Sequence, residues 1–391
     1  MDLTYSEEDQ SFRAEVRGWL DEHLTGEWAA LRGLGGAGRD HEAHEERVAW
    51  NRLLAEHGWT CLGWPTEYGG RGLSLGQQVI FHEEYARADA PGRVNHLGEE
   101  LLGPTLIAFG TEEQKARFLP KIVAVEELWA QGYSEPNAGS DLANVQTKAR
   151  RDGDEWVIDG QKVWTSNAHL SQWAFVVCRT EPGSTRHHGL SFLLVPLDQE
   201  GIEIRPIEQL TGGSEFNEVF FTGARTAADL VVGEPGDGWR VAMALLGFER
   251  GVSVLGQVVG FARELDGVVE LAKDNGAIED PVLRDRLAAL KVELEVMRFQ
   301  ALRGLATESA AGPSVFKLVW ASWHKRLGEV AMDVLGPAGL TTGSAEGYEL
   351  SRWQRLFLFS RSDTIYGGSD EVQRNILAER VLGLPREPKG A

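Results

Sequence analysis

The apolar pattern changes period twice along this chain, and that change limits the fold more than any single motif. Residues 1 to about 125 repeat their apolar positions at helical spacing. Residues 126 to about 235 alternate with a period of two, and from about 236 the helical spacing returns. In the first zone, "SEEDQSFRAEVRGWLDEHL" opens on Ser6 with acidic residues in its first turn. "LGQQVIFHEEYARAD" also reads as helix, and "TEEQKARFLPKIV" opens on Thr111 with Gln114 three residues on, the pattern of a capping box. In the second zone, "VQTKARRDGDEWVIDG" alternates on both sides of an Asp-Gly pair and predicts a hairpin. The runs "WAFVVCR", "LSFLLVPL", "IEIRPI" and "EVFFTG" are short strands between turn residues, the spacing of a small antiparallel barrel or sandwich. In the third zone, a long helix from about 236 closes at Asn275-Gly276, two more follow, and a last begins near Asp370. Four helices with apolar stripes predict a bundle. With 391 residues to place, more than one core is expected: a helical domain over 1–125, a β domain over 126–235 and a helical bundle over 236–391.

The balance of charge narrows the partners. A formal net charge of −20 repels nucleic acid and anionic lipid, so neither is expected, although local arginines and helix N-termini can still take an anionic small ligand. No apolar run approaches the length of a membrane span, and "MDLTYSEEDQ" has neither the basic nor the apolar region of a signal peptide. With only Cys61 and Cys178, no disulfide framework or metal pattern arises, and a reducing cytoplasm is the expected compartment.

Some motifs mislead. Gly33, Gly35 and Gly38 match G-x-G-x-x-G, but "GEWAALR" before them reads as helix, not as the strand a dinucleotide site requires, so a loop is expected. His41 and His44 of "HEAHEE" are three apart where a zinc protease needs four, and a solvated helix face is expected. His187-His188 lies in a polar loop between strands, and no nucleophile elbow occurs.

Two stretches carry more. "QGYSEPNAGSDLANVQTKA" (131–149) runs from a strand end through a turn of small residues to Ser140-Asp141, a build that lets backbone N–H groups approach a flat or anionic ligand. "DGQKVWTSNAHLSQWA" (159–174) ends a strand on Trp164, Thr165, Ser166 and Asn167, an aromatic face followed by hydroxyl and amide groups. Taken singly, each could equally be a turn and a core tryptophan.

Together and in this order, "SEPNAGSD" and "GQKVWTSN", with "GWPTEYGG" at 63–70 and "IYGGSDEVQRNILAERVLGLP" at 365–385, resemble the acyl-CoA dehydrogenase family from about residue 5 to the end. The resemblance implies a helical N-terminal domain, a middle antiparallel β-barrel and a C-terminal four-helix bundle, with FAD held between the last two. It implies α,β-dehydrogenation of an acyl-CoA thioester to the trans-2-enoyl-CoA. A base takes the α-proton, the β-hydrogen leaves as hydride to flavin N5, and the electrons pass on to an electron-transfer flavoprotein. By position, Gln131, Tyr133, Ser134, Ser140, Trp164 and Ser166 would line the flavin, and Ser369 and Glu371 would reach it from the last helix's N-terminus.

Most of this family carries its base, a Glu, directly after the Tyr of the C-terminal loop; here that position is Gly367. Asp370 and Glu371 read as the cap and first turn of the last helix. Glu249 is the alternative. Its helical neighbours Leu245, Val252, Ser253 and Gly256 are almost wholly apolar, so it points into a dry interior, where a carboxylate is either ion-paired, with Arg250 for example, or functional. The residues alone leave these two readings open. The resemblance favours the base, because some branches place it on this helix before an Arg, with a small residue in the loop. Phe248, Arg250, Tyr366, Gly368 and Ser140 would then contact the substrate.

The pattern departs from the family in the cofactor's outer half. The "R-x-x-F-G" stretch whose Arg reaches FAD in a neighbouring subunit has no match in "KDNGAIEDPVLRDRLAAL". In "MDVLGPAGL", Asp333 stands where Gln is usual and Pro337 where Gly is common, beside Gly336, at positions that serve the adenosine half across a subunit interface. Either a homotetramer or a heterotetramer with a related subunit is expected. A supporting subunit and an oxygen-using oxidase are the alternatives in function.

Overall fold

A computed structural model describes residues 6–36, 38–248, 253–306, 311–342 and 348–386. It divides into two compact units: 1–209 with 213–251, and 210–212 with 252–391.

In the first unit, helices α1 (Glu7–His23), α2 (His44–Glu56), α3 (Leu75–Arg87), α4 (Gly103–Phe109) and α5 (Glu112–Val123) precede the sheet. Ser6 and Thr111 close capping boxes, the second with Gln114 N–H donating to Thr111 Oγ1 at 3.2 Å and Thr111 N–H donating back to Gln114 Oε1 at 3.1 Å. Phe12, Val16 and Leu20 of α1 meet Trp50 and Leu54 of α2 and Ile80, Phe81 and Tyr85 of α3 in one core. The helical spacing of the α1 residues is what puts them on a single face.

The strands are β1 (Trp129–Gly132), β2 (Lys148–Asp152), β3 (Glu155–Ser166), β4 (Trp173–Arg179), β5 (Leu190–Pro196), β6 (Ile202–Pro206), β7 (Phe216–Ala227) and β8 (Val231–Val232). The hairpin expected at Asp152-Gly153 forms, with Lys148–Asp152 pairing back onto Glu155–Asp159 and Gly153 at φ +62°. The sheet as a whole is open and mixed rather than a closed antiparallel barrel. Its order is β6-β7-β3-β2-β4-β5-β8, with β1 joined to β4. The β1–β4 pair and the single bridge Lys148↔Arg179 are parallel. Strand alternation does not encode which ends of a sheet meet, so closure was not legible from it. Each strand still sorts its side chains by parity. Trp173, Phe175 and Val177 of β4 join a core with Phe118, Trp129 and, from α6 (Gly238–Phe248), Val241 and Leu245. Ala174, Val176 and Cys178 face a second core with Ile158, Leu193 and Phe221.

The second unit holds α7 (Ser253–Asp274), α8 (Pro281–Ala306), α9 (Gly312–Leu335), α10 (Arg352–Phe359) and α11 (Asp370–Ile376). Val258, Phe261, Leu265, Val268 and Ala272 of α7 are buried, as are Leu287, Leu290, Leu294, Met297 and Ala301 of α8 and Trp320, Trp323, Leu327, Val330 and Val334 of α9. Steps of three and four make each helix one apolar stripe, the condition for a bundle. Trp323 Nε1–H donates to the Leu290 carbonyl at 2.9 Å, fixing α9 against α8. No helix among the described residues is long and apolar enough to cross a membrane.

Candidate active site

In the first unit, the loop after β1 is held by a buried charge pair. The Glu135 carboxylate accepts from the backbone N–H groups of Gln146 (2.6 Å) and Thr147 (2.8 Å) and from Lys162 Nζ (2.9 Å). Lys162, fully buried on β3, also donates to the Tyr133 carbonyl at 2.9 Å, and Val163 N–H donates to the Ser134 carbonyl at 2.9 Å. Burial works against the Glu135 charge, but Lys162 and the N–H donors outweigh it and hold the carboxyl below the usual range. The result is a loop clamped at both feet. Its tip, Pro136, Asn137, Gly139 and Ser140, is exposed.

β3 then breaks register against β7 between Lys162 and Thr165, and the extra residue is a bulge. At that bulge Trp164 takes φ +58° and is 57% exposed, its ring meeting Phe216 edge-on at 6.1 Å. A left-handed backbone under a large exposed aromatic is unfavourable by about 1–2 kcal/mol, and such a residue marks a site rather than a fold. Next to it, Thr165 Oγ1 is buried with no hydrogen-bond partner among the described residues. Gln131 and Ser134 are half-buried on β1 and its exit, Tyr133 packs edge-on against Phe175 and Phe192, and Ser166 is half-buried where β3 ends. Thus the strand end at 131–134 and the strand end at 164–166 are joined directly, through Lys162 and Val163, while Ser140 sits out on the loop.

In the second unit, Tyr366 donates its hydroxyl proton to Asp363 Oδ1 at 2.8 Å and is 39% exposed. Gly367 and Gly368 follow at φ +63° and +88°, and a Cβ on Gly368 would fall 2.4 Å from Gln373 Nε2. Gln373 Nε2 donates to the Gly367 carbonyl at 3.1 Å. Ser369, not Asp370, is the cap of α11, its Oγ accepting from Val372 N–H at 3.4 Å. Asp370 and Glu371 occupy the first turn. Glu371 hydrogen-bonds its own backbone N–H and the Ser369 side chain, which lowers its carboxyl's pKa. A base for a thioester α-proton needs the opposite shift. Asp333 pairs with Arg286 at 2.6 Å on the surface, and Gly336 ends α9 at φ +56°. Phe248 ends α6 and is 37% exposed. Glu249 and Arg250 lie outside the described residues.

Sequence reasoning missed Glu135 and Lys162, which stand inside the quoted stretches and were read only as spacing; a lysine inside an apolar strand was the available signal. It also missed His324, which falls on the buried stripe of α9 with Trp320, Leu327 and Ala331. Among the misleading motifs, Gly33, Gly35, Gly36 and Gly38 have left-handed backbones and follow a short helical turn at Gly26–Leu31 rather than a strand. The His41 and His44 pair differs from expectation: His41 Nδ1 lies 3.6 Å from Glu215, and His44 begins α2 half-buried rather than solvated.

Three family models match in chain order: acyl-CoA dehydrogenase, N-terminal domain, over 6–126; middle domain, over 130–224; and C-terminal domain, over 236–382. The chain is 65% identical to a protein called acyl-CoA dehydrogenase IpdE1 from Mycobacterium tuberculosis, across 97% of this chain and 99% of that one. Among solved structures it is similar to one described as "Tcur3481-Tcur3483 steroid ACAD", with a TM-score of 0.85 and 33% identity over 99% of this chain and 100% of that one. It is also similar to the ChsE4-ChsE5 complex from Mycobacterium tuberculosis, with a TM-score of 0.84 and 32% identity over 99% and 100%.

Proposed function

Because the chain belongs to the acyl-CoA dehydrogenase family, we propose that it oxidises the Cα–Cβ bond of a bulky, ring-bearing acyl-CoA with FAD, and that Glu249 is the base. The observation that carries the cofactor reading is Trp164, a large aromatic held exposed in a left-handed backbone at a bulge. Neither burial nor backbone preference keeps it there, and its open face suits a flat ring system. The small-residue loop at 136–141 and the unpartnered Thr165 hydroxyl beside it fit the same group. Gln131, Tyr133, Ser134, Ser140, Trp164 and Ser166 would hold the flavin from the first unit. Ser369 and Glu371 would hold it from the α11 N-terminus, and Asp333 and Gly336 would serve the adenosine half of a neighbouring subunit. FAD, when bound, accepts the β-hydrogen together with its electron pair.

The chain's own part is to place the thioester and move the α-proton. That proton is weakly acidic, so the accepting carboxylate must be desolvated and its pKa raised. Glu371 fails this test, its carboxyl being shifted the other way. Glu249, which follows Phe248 and stands four residues after buried Leu245 in the sequence, is a carboxylate with apolar neighbours in sequence. Arg250, Phe248, Tyr366, Gly368 and Ser140 would position the acyl-CoA.

The acyl class rests on likeness to the structure described as a steroid ACAD. A related second subunit as partner rests on likeness to the ChsE4-ChsE5 complex. Val292, Val296 and Phe299, 64%, 56% and 49% exposed at helical spacing on α8, give such a subunit an apolar face to cover. An electron-transfer flavoprotein would take the electrons. A reducing cytoplasm suits Cys61 and Cys178, both buried free thiols.

The test is an anaerobic screen of the yellow holoprotein against acyl-CoAs of graded length and ring content. Bleaching of the flavin with formation of the 2-enoyl-CoA is expected with ring-bearing substrates. A purified chain, alone and with a related subunit, that carries no flavin and reduces none would contradict the reading.

A further inference from the structure

His324 stands in the apolar stripe of α9, 6% exposed, between two carboxylates. Its Nδ1 lies 2.5 Å from Asp363 Oδ2 and its Nε2 lies 2.9 Å from Glu264 Oε2 of α7. A carboxylate only accepts, so both ring nitrogens must donate, and the ring that donates twice is the imidazolium. Burial opposes that charge, but Glu264 and Asp363 outweigh it and raise the ring's pKa to about 10. Lys317, on the same helix, donates to the Asp363 backbone carbonyl, and its Nζ stands 5.1 Å from the centre of the Tyr366 ring. Two carboxylates thus face one imidazolium, with the Lys317 ammonium on the Asp363 backbone beside them. The remaining oxygen of Asp363 accepts a hydrogen bond from the Tyr366 hydroxyl at 2.8 Å. His324, Lys317 and the Tyr366 hydroxyl all meet at Asp363, in the turn Ser362–Thr364 that leads directly into Tyr366 and the glycine pair, and Glu264 holds the far side of the His324 ring.

We propose that His324, bridging Glu264 and Asp363, is a positioning residue for the dehydrogenation: through Asp363 it fixes the Tyr366 side chain and the Gly367-Gly368 backbone at the acyl-CoA site. A purely structural role would be met as well by apolar side chains of the same volume, which often replace buried ion pairs at no loss of stability. What apolar side chains could not do is hydrogen-bond Asp363 Oδ2 and so fix the orientation of that carboxylate and of the Tyr366 hydroxyl bonded to its other oxygen. The inference rests on the reading of Tyr366 and Gly368 as substrate contacts.

The experiment is a double-mutant cycle on the holoenzyme, read as the anaerobic rate of flavin reduction by an acyl-CoA. His324→Gln should slow reduction about tenfold while the half-saturating substrate concentration moves less than about threefold. In the Tyr366→Phe background the same change should cost less than about twofold more, because the path it acts through is already gone. Additive losses would overturn the proposal. Should His324→Gln not fold, Tyr366→Phe alone decides: it leaves the buried charges in place and should still slow reduction about tenfold, and a wild-type rate would overturn the proposal. Histidine-selective 15N NMR gives a readout independent of turnover. Both ring nitrogens of His324 should carry protons at pH 8, and a neutral ring there would sink the clamp. A wild-type chain that is reduced by no acyl-CoA would instead sink the substrate reading.

Discussion

Lys162 and Glu135 are both buried, and each is stable only because the other is there. Lys162→Met removes the cation but leaves the carboxylate. Breaking a buried pair this way destabilises by about 3–5 kcal/mol, which equilibrium unfolding in urea would register, with flavin lost at lower denaturant than in wild type. Trp164 predicts a different balance. Trp164→Gly relieves a left-handed non-glycine residue worth about 1–2 kcal/mol and loses only part of one ring contact. Stability of the flavin-free protein should therefore stay within about 1 kcal/mol of wild type, whereas flavin retention on gel filtration should fall at least about tenfold. Loss of both together would make Trp164 a core residue. At this scale the sequence was legible where chemistry is local and opaque where it is not. The stretch around Trp164 was marked by its residues but left open between a ligand face and a core tryptophan, and the missing loop carboxylate was visible only through the family resemblance. The partners of Lys162 and His324 are 27 and 39 residues away along the chain, and no periodicity reports them. Gly367 is sharper in the structure than in the sequence. Absence of a side chain leaves space for a base elsewhere, but φ +63° also favours glycine there in its own right.

Among the elements, several helices were read well because their signals sit within one turn: capping boxes at Ser6 and Thr111, and stripes on α7, α8 and α9. The one long helix expected from about 236 to 275 is described as α6 and α7, with 249–252 outside the described residues. Of the sheet, the strands and the β2–β3 hairpin were read, but not its open mixed order, since which other edges pair depends on contacts far apart in sequence. Two helix pairings carry pH dependence. On α3, Glu84 meets Arg13 and Arg17 of α1 and Arg87 of its own helix. Burial raises its pKa, but the arginine hydrogen bonds outweigh this and bring it from 4.5 to about 2. A depressed carboxyl stabilises the folded state above its unfolded value, so this contribution is full above pH 4.5 and fades as pH falls towards 2. Glu84→Gln should accordingly narrow its stability gap to wild type across that window, followed by thermal unfolding at stepped pH. His324 has the opposite sign. A raised histidine stabilises fully below 6.5 and loses its contribution as pH climbs to about 10. The gap between wild type and His324→Gln should therefore shrink between pH 6.5 and 10, and a gap that widens there would contradict the charge assignment.

The family models cover the helical, sheet and helical regions in order, yet no R-x-x-F-G stretch, which the family resemblance implies would reach a neighbouring subunit's FAD, occurs at the start of α8. Sedimentation of the chain with and without a related subunit should show a mixed assembly, with flavin content per chain higher in the mixture than alone. Equal flavin in both would assign the chain to a self-sufficient homo-oligomer. On the proposed reading, Glu249 takes the place of the missing loop carboxylate. The direct measurement is the anaerobic rate of flavin reduction by a good acyl-CoA substrate in wild type and in Glu249→Gln. Removal of a general base should slow that step by about 10²–10⁴-fold while flavin stays bound and the variant still takes up acyl-CoA. A Glu249→Gln protein that bleaches its flavin at near the wild-type rate would show that the proton goes elsewhere.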